Sequence, residues 1–346
     1  MVDGSQHTVC WHVDDIKSSH ISSKVQDKFE DWLIGMYDKD PKGNVVGKLK
    51  RCSGKQLEYL GMTLDYRIPG EVTFRMDKYT KAMVETFEAD IKKEIPHAKT
   101  PAAEHLFTVR DDVPRLGDEK ALIFHNATAK ALYLCKRARP DIQTAVSFLT
   151  TRVKEPDEDD WKKLIRMMGN LKATIELALT LRDDGQGAAW WIDASFAVHP
   201  NMRGHTGGNM TLGKGSIISK SSKQKLNNSS STEAELVGTY DMMLEILWSR
   251  YFLEAQGYTQ KSTLIYQDNL SAMLLEKNGK MSSTKRTKHI HIRYFLIYDR
   301  WKRGEIDIKH CPTDEMVADF FSKPLQGKKF LKFRALILGL EAPLTD

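Results

Sequence analysis

Cysteine is scarce in this sequence, and long apolar runs are missing from it. The four cysteines are far apart and form no CxxC pair, which argues against a structural zinc site or a disulfide framework: Cys10, Cys52, Cys135 and Cys311. No apolar run is long enough to cross a membrane, and we see no signal peptide. We therefore expect an intracellular protein, cytoplasmic or nuclear, with no membrane partner.

Positive charge is concentrated in one half of the chain. The 346 residues carry a formal net charge of +6, enough length for two or three domains. From Gln186 onward there are 22 Lys and Arg against 16 Asp and Glu, whereas the first 185 residues hold 30 of each. A basic C-terminal half favours a polyanionic partner, although the excess is modest.

A pair of adjacent acids lies between two short β-prone runs near the start. Residues 8–16 (TVCWHVDDI) predict a hairpin with Asp14 and Asp15 at its tip. Adjacent carboxylates at a turn can bind Mg²⁺, and the alternative is an ordinary acidic turn. The apolar spacing then predicts helices over 23–37 and 78–87 and strands over 58–66 and 72–76, with a hairpin at Pro69-Gly70 between the strands.

The middle of the chain contains an aperiodic segment followed by a run of predicted helices. The segment 96–118 has no clear periodicity and is interpreted as a linker. From 119 to 181 the pattern predicts only helices, over 127–136, 140–152 and 158–172. The segment 182–187 (RDDGQG) marks a flexible boundary before the last part.

Strands and helices alternate from residue 188 onward. Strands are predicted over 188–197, 204–212, 216–222, 263–267 and 306–310, and helices over 229–251, after the predicted cap Asn269, over 285–303 and over 315–321. This order, βββ-α-β-α-α-β-α, predicts a mixed sheet with helices on its faces. Such sheets bind ligands near the carboxyl ends of their parallel strands.

Four acids lie on four of these predicted elements. Asp193 is within an apolar strand, where a carboxylate is costly unless it is neutralised. Glu235 is near the start of the long helix, Asp268 ends a strand, and Asp319 is in the last helix. Such a set suits a two-metal phosphodiester site, whose ions lie roughly 4 Å apart.

Each acid also has a simpler interpretation. Asp193 could face water on an edge strand, and Glu235 could belong to a capping box in place of Glu233. Asp268 could support the cap at the next residue, and Asp319 could lie on the exposed face of an amphipathic helix. We assign capping to Glu233 and metal binding to Glu235.

The motifs around these acids resemble those of a known family. Several segments resemble the RNase H domain of Ty1/copia retrotransposon Pol polyproteins: 191–195 (WIDAS), 230–236 (SSTEAEL), 266–269 (YQDN), 286–294 (RTKHIHIRY) and 316–325 (MVADFFSKPL). Earlier segments resemble the reverse transcriptase of the same polyproteins: 12–15 (HVDD) resembles its YxDD hairpin, and 59–61 (YLG) and 139–142 (RPDI) resemble later stretches. The match covers nearly the whole chain in the right order.

This resemblance implies an α/β architecture in three parts. They are a partial reverse transcriptase palm over 1–95, a linker and helical thumb/connection over 96–185, and an RNase H-like mixed five-stranded sheet with flanking helices over 186–346. Asp193, Glu235, Asp268 and Asp319 would be the catalytic ligands of two Mg²⁺ ions, for which Mn²⁺ can substitute. The expected reaction is endonucleolytic hydrolysis of the RNA strand of an RNA–DNA hybrid, with RNA recognised by its 2′-hydroxyl.

The resemblance also implies further binding residues. Asp14 and Asp15 would be metal ligands of the palm. The basic helix predicted over 285–303 would contact phosphates through four side chains, Lys285, Arg286, Lys288 and Arg293. His289 and His291 would point apart on that helix, so we interpret them as structural or substrate-facing. Members of this family act within virus-like particles.

The chain departs from the family pattern in several places. His12 replaces the YxDD tyrosine, and the segment 311–315 (CPTDE) lacks the histidine that many ribonucleases H carry before the last acid. The third palm Asp and the fingers precede this hairpin in the family, and only eleven residues precede His12, so we expect no reverse transcription from this chain alone.

Two other functions fit parts of the pattern. One is a non-catalytic nucleic-acid-binding remnant of a decayed retroelement. The other is an integrase-type nuclease, which would need acids in the order D…D…E, whereas the order here is D…E…D…D. The sequence predicts no oligomeric state.

Overall fold

Two five-stranded sheets organise the chain, and a small hairpin precedes them. The computed structural model describes residues 1–38, 42–45, 47, 49–279 and 291–341. The hairpin consists of β1 (Thr8–His12) and β2 (Asp15–Ser19), paired antiparallel, and is followed by α1 (Ser23–Tyr37). The predicted hairpin and first helix are therefore present, with Asp14 in the turn and Asp15 at the start of β2.

The first sheet begins with three antiparallel strands, β3 (Gln56–Tyr59), β4 (Met62–Asp65) and β5 (Glu71–Arg75). The prediction of one strand over 58–66 is wrong. Leu60 and Gly61 both have positive φ, 50° and 72°, and make the tight turn that separates β3 from β4. The predicted hairpin at Pro69-Gly70 joins β4 to β5, and α2 (Asp77–Ile91) follows.

A helical segment comes next and contains most of one core. Its helices are α3 (Asp118–Cys135), α4 (Gln143–Thr150), which is preceded by a 3₁₀ turn, and α5 (Glu158–Ala173). The Asp157 carboxylate caps α5 by accepting hydrogen bonds from the amides of Asp159 (2.9 Å) and Asp160 (2.8 Å). Fully buried apolar side chains from all three helices form the core, among them Phe124, Leu149 and Leu164.

The prediction of helices only from 119 to 181 is wrong at its end. Residues there form β6 (Leu179–Asp183), which pairs antiparallel with β5. Only Leu179 of this strand is buried, and exposure increases toward Asp183, so the strand shows no two-residue period of burial. The segment was too short to be distinguished from a helix end by periodicity alone.

The second sheet contains β7 (Ala189–Ser195), β8 (His205–Thr211), β10 (Ile218–Lys223), β11 (Thr263–Gln267) and β12 (Ile306–His310). Its order is β10-β8-β7-β11-β12. The β7–β8 and β8–β10 pairs are antiparallel, and β7–β11 and β11–β12 are parallel. The predicted mixed five-stranded sheet is therefore confirmed.

The two sheets are joined through a short strand. Residues Gly213–Lys214, between β8 and β10, form β9, which pairs with β6 and completes the first sheet in the order β3-β4-β5-β6-β9. The first sheet thus takes strands from all three predicted parts of the chain.

Helices cover both faces of the second sheet. Those of the C-terminal part are α6 (Ser231–Ala255), α7 (Leu270–Asn278), α8 (His291–Lys302), α9 (Asp319–Ser322) and α10 (Gly327–Leu338). Gly207 of β8 approaches α9 and its neighbour Gly208 approaches Met242 of α6, so these two helices lie on opposite faces. The last predicted helix begins later than expected, at Asp319, because residues 313–315 form a 3₁₀ turn. No helix within the described residues is long and apolar enough to span a bilayer.

Candidate metal centre

Asp193 lies inside the second sheet, on strand β7. Trp190 and Ile192 belong to the core beneath α6, and Asp193 contacts the α9 side through Ser322. In the β7–β8 register Asp193 is opposite Gly207. Only 1% of Asp193 is exposed, so its carboxylate depends on the groups that surround it for stabilisation.

Glu235 enters the same region from the first turns of α6. The Ser230 hydroxyl caps this helix by accepting a hydrogen bond from the Glu233 amide (3.2 Å), and the Glu233 carboxylate accepts one from the Ser229 amide (2.8 Å). The cap therefore uses Glu233, in agreement with the assignment made from the sequence. Glu235 is buried.

Asp268 follows β11, the parallel neighbour of β7. The next residue, Asn269, caps α7 as predicted, with its side-chain oxygen 3.0 Å from the Ala272 amide nitrogen. Asp268 itself is partly exposed and accepts a hydrogen bond from the Thr313 hydroxyl (3.3 Å). Its place at the end of a parallel strand is the usual position for a ligand-binding side chain in such sheets.

These three carboxylates converge. One oxygen of Asp193, Glu235 and Asp268 each lies within 4.8 Å of the other two, and no other group of three His, Cys, Asp or Glu side chains is so arranged in the described part of the chain. Carboxylate oxygens are the ligands that Mg²⁺ and Mn²⁺ prefer. The residues present therefore fit a hard divalent cation.

The electrostatics of the cluster agree with that donor set. Burial raises the pKa of Asp193 to about 6, against the lowering effect of the Lys323 ammonium and with added repulsion from Asp319. Burial, then repulsion from Asp193 and Asp268, raises the pKa of Glu235 well above its ordinary value. A bound cation would offset this repulsion and favour the ionised carboxylates.

Asp319 is not part of this three-carboxylate group. It starts α9, is 1% exposed, and forms ion pairs with Lys323 (2.5 Å) and Lys329 (2.7 Å). Lys323 also contacts Asp193 at 3.2 Å. Of the four acids predicted to share a site, three meet as potential ligands and the fourth is connected to them through a lysine.

The sequence analysis assigned no role to the residues that support Asp193. The Ser322 hydroxyl donates a hydrogen bond to Asp193, and Lys323 bridges Asp193 and Asp319. A signal was available for Lys323, because it follows Asp319 by four residues, the spacing at which an acid and a base meet on a helix.

Asp14 and Asp15 lie elsewhere, on the N-terminal hairpin. Both are exposed, and they line a cavity of about 270 Å³ that also has Lys50 and Arg51 in its wall. They do not belong to the three-carboxylate group, and their role as palm ligands stays a prediction.

The predicted phosphate-binding residues are described only in part. Lys285, Arg286, Lys288 and His289 lie outside the described residues. Arg293 is on α8, with its guanidinium 5.6 Å from the centre of the Tyr240 ring on α6. Its contact with phosphate stays a prediction.

Comparison with known proteins identifies relatives among retrotransposon proteins. The chain is 27% identical over 319 residues to the retrovirus-related Pol polyprotein from transposon TNT 1-94 of Nicotiana tabacum, a match covering 89% of this chain and 24% of that protein. It is 30% identical over 208 residues to that from transposon RE2 of Arabidopsis thaliana, covering 59% and 14%. The chain thus spans a quarter or less of these two relatives. No family model matches it.

A solved structure with a distantly similar fold is that of the foamy viral protease-reverse transcriptase in complex with dsDNA. The likeness covers 88% of this chain and 55% of that one, with a TM-score of 0.44 and 13% sequence identity. Over much of its length this chain is similar to retrotransposon Pol polyproteins, and these matches fit a part of a Pol polyprotein of the copia type.

Proposed function

We propose that residues 186–346 form a ribonuclease H domain that hydrolyses the RNA strand of RNA–DNA hybrids. The observation that carries this proposal is the convergence of Asp193, Glu235 and Asp268 from a strand, a helix and the end of a parallel strand. These residues would hold Mg²⁺ or Mn²⁺. When bound, the cation would supply an activated water and stabilise the leaving oxygen.

Neighbouring hydroxyl groups would hold the carboxylates in place, and burial would leave one side of the site accessible to substrate. The hydroxyl groups of Ser322 and Thr313 orient the carboxylates of Asp193 and Asp268, so that fewer orientations remain to be fixed when substrate binds. Asp193 and Glu235 are buried, whereas Asp268 is partly exposed. A phosphodiester would therefore approach from the Asp268 side.

The proposed partner is a hybrid duplex, recognised in two ways. Lys285, Arg286, Lys288 and Arg293 would contact backbone phosphates, which positions a duplex without reading its sequence. The 2′-hydroxyl would distinguish the RNA strand from the DNA strand. Because phosphate contacts release counterions, binding should weaken steeply with salt.

The remaining residues would belong to a reverse transcriptase. In this proposal 1–95 is part of a palm, with Asp14 and Asp15 in its hairpin, and 96–185 is a helical thumb/connection. The sequence match to a Pol polyprotein extends over 89% of the chain and is therefore not confined to residues 186–346. The pairing of β6 with β9 makes the last boundary structurally continuous.

The test is hydrolysis by the full chain of labelled duplexes of three kinds: RNA–DNA hybrid, double-stranded DNA and double-stranded RNA. With Mg²⁺ or Mn²⁺ we expect cleavage of the hybrid alone, and none in chelator. Asp268→Asn should abolish it. Asp299→Asn, which removes a half-exposed acid of α8 that pairs with Arg303, should not.

A second candidate is a non-catalytic nucleic-acid-binding remnant. The observation in its favour is that lysines already neutralise Asp193 and Asp319. Salt-sensitive binding of the hybrid with no hydrolysis in either metal would support this candidate and contradict the ribonuclease.

A further inference from the structure

Lys323 lies between two buried carboxylates at the edge of the metal centre. Its ammonium nitrogen is 3.2 Å from Asp193 Oδ2 and 2.5 Å from Asp319 Oδ1. Each of the two acids is only 1% exposed, whereas 39% of the lysine side chain is exposed. The lysine thus reaches in from the surface and ends between the acids.

The backbone that carries Lys323 is held against the sheet. Its amide donates to the Asp319 carbonyl (2.9 Å), and the preceding carbonyl, of Ser322, accepts a hydrogen bond from the Ser195 hydroxyl (3.0 Å). A Cβ at Gly207 would lie 2.5 Å from the Ala318 carbonyl oxygen, so this glycine permits the close approach. Lys323 is therefore fixed at its base, directly above strand β7.

A second lysine, Lys329, forms an ion pair with only one of the two acids that Lys323 contacts. Lys329, on α10, is 2.7 Å from Asp319 Oδ2 and donates to the Thr313 carbonyl (3.1 Å). It pairs with Asp319 but forms no ion pair with Asp193. Among the described residues Lys323 is the only cation paired with both acids.

An ammonium in this position competes with a metal ion for the same oxygens. It neutralises the two carboxylates that a second divalent ion would need, and a charge of +1 strongly repels a charge of +2 at such short range in a buried site. Lys323 also lies 3.4 Å from Asp193 Oδ1, whereas Glu235 and Asp268 form no ion pair with a lysine or arginine within the described chain. One cation position is therefore filled by the protein and one is available.

We propose that Lys323 takes the place of a second metal ion between Asp193 and Asp319, so that this centre binds one divalent cation, at Asp193, Glu235 and Asp268. The inference rests on the metal site of the proposed function and replaces the two ions expected from the sequence. Lys323 is a positioning residue: it holds Asp193 toward the ion and keeps Asp319 out of the ligand set.

The test counts Mn²⁺ ions bound to the full chain, by titration with electron paramagnetic resonance detection of free and bound Mn²⁺. We expect one ion per wild-type chain, with the spectrum of an isolated Mn²⁺. In Lys323→Met the two acids lose their shared counter-charge, and we expect two ions and the spectrum of a coupled pair. Lys329→Met, the matched control, should still bind one.

The number of bound Mn²⁺ ions distinguishes a failure of this inference from a failure of the proposed function. Two ions in the wild type, or one ion in both the wild type and Lys323→Met, would overturn the inference and leave the proposed function standing. No bound Mn²⁺ in either chain would instead contradict the metal site of the proposed function, and the inference with it. If Lys323→Met is unfolded, as judged by its melting curve with Mn²⁺, Lys323→Gln replaces it, because Gln keeps a hydrogen-bond donor and removes the charge.

Discussion

At the scale of single residues, the carboxylates of the metal centre are held close together at a cost to stability. Burial and mutual repulsion raise the pKa of Glu235 well above its ordinary value. A residue whose charge is unfavourable in the folded chain stabilises it when neutralised, unless a cation requires that charge. Binding of Mg²⁺ to the folded state alone should recover the lost stability.

The Glu235→Gln variant should keep its stability without metal and lose most of its stabilisation by Mg²⁺. Without metal its melting temperature should equal or exceed that of the wild type, because one repulsive charge is gone. The rise in melting temperature that Mg²⁺ gives the wild type should be largely lost. Melting curves with Mg²⁺ and with chelator measure both effects.

Glu233→Gln is the matched control, two residues away on the same helix. It should lose at most about 1 kcal/mol of stability, the usual value of a helix cap, and keep the full response to Mg²⁺. A normal Mg²⁺ response in Glu235→Gln, or its loss in Glu233→Gln, would contradict the assignment of the second ligand.

A second acid, Glu276 on α7, is buried behind the centre. It is fully buried, and its carboxyl oxygen Oε1 accepts a hydrogen bond (3.3 Å) from the side-chain Nε2 of Gln267, the residue before Asp268. Burial raises the pKa of Glu276 from 4.5 to about 8. The folded chain therefore holds a proton on Glu276 at neutral pH that the unfolded chain releases.

The protonation of Glu276 makes the free energy of unfolding depend on pH. Between pH 4.5 and about 8 the folded state binds more protons at Glu276 than the unfolded state, so this group's contribution to stability falls as pH rises. The slope approaches about 1.4 kcal/mol per pH unit in that window. Glu276→Gln should remove this component, measured as the difference from wild type in urea unfolding at several pH values.

The control for Glu276 is Glu85→Gln, which removes an exposed acid on α2. It should leave the pH dependence between 4.5 and 8 as in the wild type. Equal slopes for wild type and Glu276→Gln would show that Glu276 is ionised in the folded chain.

At the scale of elements, the position of α9 depends on a missing side chain. A Cβ at Gly207 would lie 2.5 Å from the Ala318 carbonyl oxygen and 2.7 Å from the Ser322 amide nitrogen. Both contacts are with backbone, which cannot rotate away. Since α9 carries Ser322 and precedes Lys323, Gly207 sets the distance of both from Asp193.

Gly207→Ala should therefore move α9 away from β8. We expect a loss of roughly 1–3 kcal/mol in unfolding free energy, the usual cost of overpacking a core, and a weaker Mg²⁺ response. Gly35→Ala on α1, where a Cβ meets nothing within 4 Å, should be neutral or slightly stabilising. Urea unfolding of the two variants tests this, and equal stabilities would contradict the packing account.

Some helices and strands could be predicted from local sequence patterns alone. The strands β11 and β12 have the predicted bounds, because each is a short run with β-branched residues in a buried sheet. The cap of α7 was predictable from Asn269, since capping is a local hydrogen bond. β6 was missed because its identity as a strand depends on pairing with β5, more than 100 residues earlier.

In the candidate site, too, some features were predictable from the sequence and others were not. Asp193 was predictable because a carboxylate within an apolar strand is costly unless it is neutralised. Glu235 and Asp268 were predictable from their places near the start of a helix and at the end of a strand, together with the family resemblance of their motifs. The position of Asp319 outside the three-carboxylate group was not predictable, because it depends on ion pairs with Lys323, just after α9, and Lys329, on α10. Side-chain competition between neighbouring elements has no periodic signature in sequence.

At the scale of the whole molecule, the predicted boundary at 185/186 cuts through packed structure. β6 pairs with β9 across it, and the Lys214 ammonium nitrogen on β9 is 3.1 Å from Glu71 Oε1 on β5. Further in, Gln143 of α4 donates to the Ser219 carbonyl (3.0 Å), and the Thr144 hydroxyl donates to the Phe320 carbonyl (2.7 Å). The helical segment therefore supports the face of the sheet that carries α9.

A fragment of residues 186–346 should be less stable than the full chain. It would lose the partner strand of β9 and the α4 contacts, and would expose apolar surface that is now buried. We expect a lower melting temperature and a weaker Mg²⁺ response than in the full chain. If the fragment melts cooperatively at the full-chain temperature, the contacts across the boundary contribute nothing to stability.

Whether Asp193, Glu235 and Asp268 form a catalytic metal centre is decided by the rate at which the full chain cleaves the RNA strand of a labelled RNA–DNA hybrid in Mg²⁺. We expect hydrolysis by the wild type and by Glu233→Gln at similar rates. Glu235→Gln should be slower by more than about 100-fold, the upper range for loss of an outer-shell partner of a metal ligand. Equal rates for Glu235→Gln and the wild type, or no hydrolysis by the wild type in Mg²⁺ or Mn²⁺, would contradict the claim that Asp193, Glu235 and Asp268 form a catalytic metal centre.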